Sequence, residues 1–167
     1  MSKKQVKAYF NELQEAALRE QLLALYEKFP EVKEYYDFAV APKEDKLILQ
    51  AKEKISKEYF PLNGRRPKAR RSKANAYIKK FRLLGMDPSL LADFMGFNLE
   101  LMQTFVREKR VADAFYKSMS VSFTEWITYC VQQGIWPEHK NRVLKSFEEA
   151  RDYPFFEKFE AALDIVD

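Results

Sequence analysis

Four times along 167 residues an aromatic side chain stands directly before a proline, at Phe29-Pro30, Phe60-Pro61, Trp136-Pro137 and Tyr153-Pro154. Proline fixes its own φ and pushes the residue before it out of the helical region, so a helix ends at each of these steps. Proline is tolerated in a first helical turn, so Pro30, Pro137 and Pro154 read as helix starts, whereas Pro61 opens a loop. Between the corners run stretches of Ala, Leu, Glu, Lys, Gln and Arg, with only 4 glycines in the chain. This punctuation predicts an all-α protein: one domain over residues 1–167, a helical bundle or a short stack of helical hairpins, with about eight or nine helices.

Periodicity places the helices. Val6 and Phe10 share a face, and Leu18, Leu22, Leu25 and Phe29 form a stripe, with a break near Leu13-Gln14. A short helix from Pro30 to about Val40 follows, and Pro42 opens the next, with Leu47, Ala51, Ile55 and Tyr59 as its core stripe. Residues 61–72, with Gly64 and Pro67, form the one long loop, and Lys73 to Leu84 is helical up to Gly85. Asp87-Pro88 caps and opens a helix whose Leu91, Phe94, Met95, Met102, Phe105 and Val106 cover a broad arc, placing it at the centre of the core. From Val111 to Gln133 helical spacing persists through Phe115, Met119, Ser122, Trp126 and Tyr129, although Ser118 to Thr124 is poor in helix formers. Pro137 to Arg151 and Pro154 to about Ile165 complete the chain. Leu91, Phe94, Met102, Phe105, Phe115 and Trp126 are expected to be buried.

Charge is distributed unevenly. Between Tyr59 and Met86 stand nine cations (Arg65, Arg66, Lys68, Arg70, Arg71, Lys73, Lys79, Lys80 and Arg82) and no carboxylate. Taking those nine from the 29 basic residues leaves 20 against 25 acidic ones, so the rest of the chain is acidic. Arg65, Arg66, Arg70 and Arg71 crowd too closely for neighbours to neutralise them, so they should lie exposed. The segment is a candidate polyanion-binding site, with Tyr59, Phe60 and Tyr77 placed to stack on unpaired bases. The competing readings are a solvated connector, an acidic protein partner and an anionic membrane surface. No helix-turn-helix or RNA-binding signature accompanies the cations.

Three stretches resemble a family of uncharacterised helical proteins in bacteria, catalogued as a domain of unknown function. They are Leu25-Tyr26-Glu27-Lys28-Phe29-Pro30-Glu31-Val32-Lys33-Glu34-Tyr35, the Tyr59-Phe60-Pro61 corner with its basic run into Lys73-Ala74, and Phe115-Tyr116-Lys117-Ser118-Met119 through Phe123. The resemblance implies an all-helical fold and assigns no catalytic residue.

Catalytic inventories are short. Histidine and nucleophile chemistry needs partners, and His139 and Cys130 are the only residues of their types. His139 falls on the face of Val143 and Phe147, and Cys130 beside the Trp126 stripe, so both read as packing groups. Asp93 and Glu100 share a helix face, which is more often a solvated strip than an acid and base pair. No glycine cluster forms a phosphate loop, and no cofactor or metal is implied. A single cysteine forms no internal disulfide, and neither a signal peptide nor a membrane span is visible, so the cytoplasm is the expected compartment. The sequence thus points to a non-enzymatic helical interaction or scaffold protein, with a nucleic-acid-associated protein using residues 65–82 as the alternative.

Overall fold

The computed structural model describes residues 2–166, and its order along the chain is α1 (Lys3–Glu12), α2 (Glu15–Lys28), α3 (Pro30–Val40), α4 (Glu44–Tyr59), α5 (Arg71–Leu84), α6 (Pro88–Glu108), α7 (Asp113–Gln132), α8 (Trp136–Glu149) and α9 (Glu157–Leu163). These are nine helices with no strand among the described residues. They separate into two compact units, Met1–Lys43 and Glu44–Asp167.

The larger unit is organised around α6, as its broad apolar arc predicts. This helix packs on α4, α5, α7 and α8 and buries Leu91, Ala92, Phe94, Met95, Leu99, Met102 and Phe105. Its start is fixed by the Asp87 carboxylate, which accepts from the Leu90 N–H at 3.0 Å, and by Pro88 at the first helical position. On α4 the buried stripe is Ile48, Ala51, Ile55 and Tyr59, with Leu47 half-buried beside it. Gly85 closes α5 at φ 76°, and the Met86 N–H reaches back to the Phe81 carbonyl at 3.1 Å. That backbone is natural to glycine.

Helix α7 runs unbroken through its hydroxyl-rich middle. Ser118 donates to the Phe115 carbonyl at 2.8 Å, Ser120 to the Lys117 carbonyl at 2.9 Å and Thr124 to the Ser120 carbonyl at 3.0 Å. The hydroxyls are therefore satisfied by the preceding turn and do not compete with the helix. On the same helix Met119, Phe123, Trp126, Ile127 and Cys130 are fully buried.

Two expectations need correcting. Phe115 is only half-buried, although its ring lies 5.7 Å from Phe105 and 6.3 Å from Tyr59. The last helix starts at Glu157 and not at Pro154, because residues 151–156 form turns and Phe155 takes φ 64°. A left-handed residue cannot continue a right-handed helix, which resumes only beyond it.

In the Met1–Lys43 unit, α2 and α3 form a hairpin turned at Phe29-Pro30 and joined by the Tyr26 hydroxyl, which donates to Asp37 Oδ1 at 2.7 Å. Gln21 Nε2 donates to the Tyr9 hydroxyl at 2.6 Å and links α1 to α2. None of the three helices has a buried residue. The Leu18 stripe is thus no core: Leu18 is half-buried, and Leu22, Leu25 and Phe29 are exposed.

Candidate interaction surfaces

The basic segment is a folded loop leading into α5. The N–H groups of Lys68 and Ala69 both donate to the Glu58 carbonyl, at 3.0 and 2.9 Å, so the loop closes on the last turn of α4. Glu58 also receives Arg70 in a two-pronged pair, Nε to Oε2 at 3.0 Å and Nη2 to Oε1 at 2.8 Å. That pair holds the Glu58 carboxyl below its usual range. Arg71 donates to Ser122 Oγ at 2.8 Å and to Glu125 Oε2 at 2.6 Å on α7. The expectation that all four loop arginines escape neutralisation therefore fails for Arg70 and Arg71. Arg70 meets a carboxylate from the end of the preceding helix, 12 residues back, and Arg71 one from α7, 54 residues on.

Of the remaining cations, Arg82 lies over the Tyr129 ring at 4.8 Å, and Lys80 is half-buried. Arg65, Arg66, Lys68, Lys73 and Lys79 are exposed. The aromatics are not available for bases. Tyr59 is 1% exposed, edge-on to Phe105 at 5.6 Å, and burial pushes its phenol up to about 12. Phe60 is half-buried against Phe105, and Tyr77 against Phe81 and Phe94. Packing thus removes Tyr59 from any stacking role and leaves Phe60 and Tyr77 with only part of each ring open, while five cations stay exposed.

A second surface belongs to the Met1–Lys43 unit, where the sequence shows an apolar stripe but not that it stays uncovered. Leu23 is 63% and Val40 83% exposed, with Val6, Tyr9, Phe10, Leu22, Leu25, Phe29 and Tyr35 also open. Leu22, Leu23, Tyr26, Tyr36 and Val40, with the charged Asp37 and Lys43, line an open groove of about 620 Å³ on the hairpin. A signal existed, because Leu22, Leu23, Leu25 and Tyr26 point to more than one side of α2. A single core can absorb only one of those sides.

The carboxylate pair on α6 has a structural partner. Arg142 binds Glu100 through Nε (2.6 Å) and Nη2 (2.9 Å) and Asp93 through Nη1 (2.7 Å). Its guanidinium lies 5.7 Å over the Trp126 ring. Burial pushes the Cys130 thiol up to about 12, which leaves it protonated and unreactive at neutral pH.

His139 is 7% exposed and its Nε2 has no hydrogen-bond partner. Burial lowers its pKa from 6.5, against the opposing pull of Asp93 and Glu138. The folded protein therefore holds the neutral ring where the unfolded chain takes up a proton. Stability is present above about pH 6.5 and is lost as pH falls through the folded value. The expected result is a flatter unfolding free energy against pH, below about 6.5, for His139→Gln than for the wild type. Identical slopes for the two proteins would show that the ring titrates alike in both states.

No helix among the described residues is long and apolar enough to cross a membrane, and no group of three or more His, Cys, Asp or Glu side chains is placed to hold a metal ion. Compared with known protein families, residues 1–167 match the model of a family of unknown function, DUF6155. No curated protein and no solved structure matches the chain.

Proposed function

We propose that this chain, which belongs to the DUF6155 family across residues 1–167, is a non-enzymatic interaction protein whose Met1–Lys43 unit presents the contact surface. One observation carries this reading: the unit exposes nine large apolar side chains, eight on its three helices and Phe29 at the corner between two of them, and none of those helices has a buried residue. Exposed apolar patches of this kind mark sites of association. The non-enzymatic part is supported by the groups best suited to chemistry. His139 and Cys130 are sealed in the core, and Arg142 occupies both Asp93 and Glu100. The cytoplasm is the compartment in which the free thiol of Cys130 is ordinary.

The test is photo-crosslinking in cells from single positions. A crosslinker at Leu23 or Val40 is expected to trap another polypeptide, whereas one at Leu83, 77% exposed but isolated on α5, is not. Equal labelling from all three positions, or none from any, overturns the assignment.

The second reading rests on the exposed cations. Arg65, Arg66, Lys68, Lys73 and Lys79 provide a surface for anions, the phosphates of nucleic acid or the carboxylates of an acidic protein partner. Tyr59 is buried and Phe60 and Tyr77 are half-covered by other rings, so contact would be mainly through backbone charge and not through base stacking.

A further inference from the structure

We infer that the Met1–Lys43 unit pairs with a second copy of the chain, α1 of each copy lying in the α2–α3 groove of the other. The inference rests on the interaction reading above and names its partner. Helix α1 is the kind of object such a groove takes. Val6, Phe10 and Leu13 repeat at i, i+4 and i+7, with Tyr9 beside them. Val6, Tyr9 and Phe10 are exposed at 40%, 49% and 46%. The start of the helix is closed locally, the Ser2 N–H donating to Gln5 Oε1 at 2.8 Å, so the helix does not depend on a covering partner to begin.

The groove offers the complement. Its walls are Leu22, Leu23, Tyr26, Tyr36 and Val40. At about 1.5 Å per residue, the 10 residues of α1 and the 11 of α3 have nearly equal lengths. Charge agrees in sign. Residues 1–13 carry Lys3, Lys4 and Lys7 against Glu12, whereas residues 14–43 carry six carboxylates against Arg19, Lys28, Lys33 and Lys43, with Asp37 and Lys43 in the groove itself. Arg19, Lys28 and Lys33 are already engaged, Arg19 with Glu15, Lys28 over Phe29 and Lys33 over Tyr26. Glu20 and Glu27, three and four residues from the groove-lining Leu23 and both exposed, remain at the α2 edge to face an incoming basic helix. Reciprocal exchange buries both helices and both grooves and closes on itself, as a two-fold interface does.

The experiment is sedimentation equilibrium of the full chain across low to high micromolar concentration. The weight-average mass is expected to rise from 19.8 kDa toward twice that value, less steeply as salt increases. Val6→Glu with Phe10→Glu on one side, or Leu23→Glu with Val40→Glu on the other, should each weaken the dimer at least about tenfold. All four positions are exposed, so circular dichroism of the variants should match the wild type. A wild type that stays at 19.8 kDa throughout overturns the inference. So does a dimer that survives the groove substitutions. Either result leaves the wider reading intact if crosslinks from Leu23 or Val40 trap a different protein.

Discussion

Replacing Trp126 with alanine is expected to destabilise the protein by about 3–5 kcal/mol, and to reverse the effect of a second substitution one helix away. Trp126 is 0% exposed on α7, and it leans on α6 at the one place where α6 has no side chain. A Cβ built on Gly96 would lie 2.6 Å from Trp126 Cζ2, 2.9 Å from Cη2 and 3.1 Å from Arg142 Cζ. The ring cannot withdraw from a filled core, and Arg142 is tied to Glu100 and Asp93. Gly96→Ala alone should therefore cost about 1–3 kcal/mol from overpacking, less the roughly 1 kcal/mol that alanine gains over glycine within a helix. With Trp126 already cut to alanine, the two closest clashes are gone, and the 3.1 Å approach of Arg142 can relax into the vacated space, so the helical gain dominates. Gly96→Ala should then be neutral or stabilising. The double-mutant cycle, read by urea unfolding, measures this coupling. Additive effects within experimental error would mean that the two helices do not meet through this ring.

The same contact shows where sequence reading stops. Helix positions follow from short-range rules: the Leu13-Gln14 break, Pro30 and Pro88 as helix starts, Gly85 as a stop. All of these agree with the structure. The central place of α6 was legible because an apolar arc that broad leaves room for neighbours on several sides. Long-range partners were not legible. Nothing near Arg71 in the chain announces Glu125, and nothing near Asp93 or Glu100 announces Arg142, because such pairs depend on how helices cross. The Met1–Lys43 unit escaped for a related reason. Periodicity reports that a face is apolar without saying whether this chain covers it, so the exposure of the stripe from Leu18 to Phe29 could not be read from its spacing.

That distinction decides which cations to remove in testing the basic surface. Substituting Arg70 and Arg71 would break the Glu58 and Glu125 contacts and mix a folding effect with a binding effect. The informative variant is Arg65→Glu, Arg66→Glu, Lys68→Gln, Lys73→Gln and Lys79→Glu. Neutral glutamine is used where Lys68 and Lys73 lie in the field of Glu58, since a new carboxylate there would repel it. Exposed charges contribute little to stability, so thermal melting should barely change. Wild-type protein is expected to bind RNA and DNA at low salt, and five phosphate contacts give a slope of log affinity against log salt of roughly −3 to −5. About a fourfold rise in salt then lowers affinity on the order of a hundredfold or more. The variant should lose binding at every salt concentration. Single-stranded and duplex forms of equal length should differ little for the wild type, because Tyr59 is enclosed and Phe60 and Tyr77 are packed against other rings. A strong preference for single strands would require a stacking platform elsewhere. Wild type and variant that bind equally, or a wild type that does not bind at low salt, would make residues 61–72 a solvated connector and leave the Met1–Lys43 unit as the interaction surface.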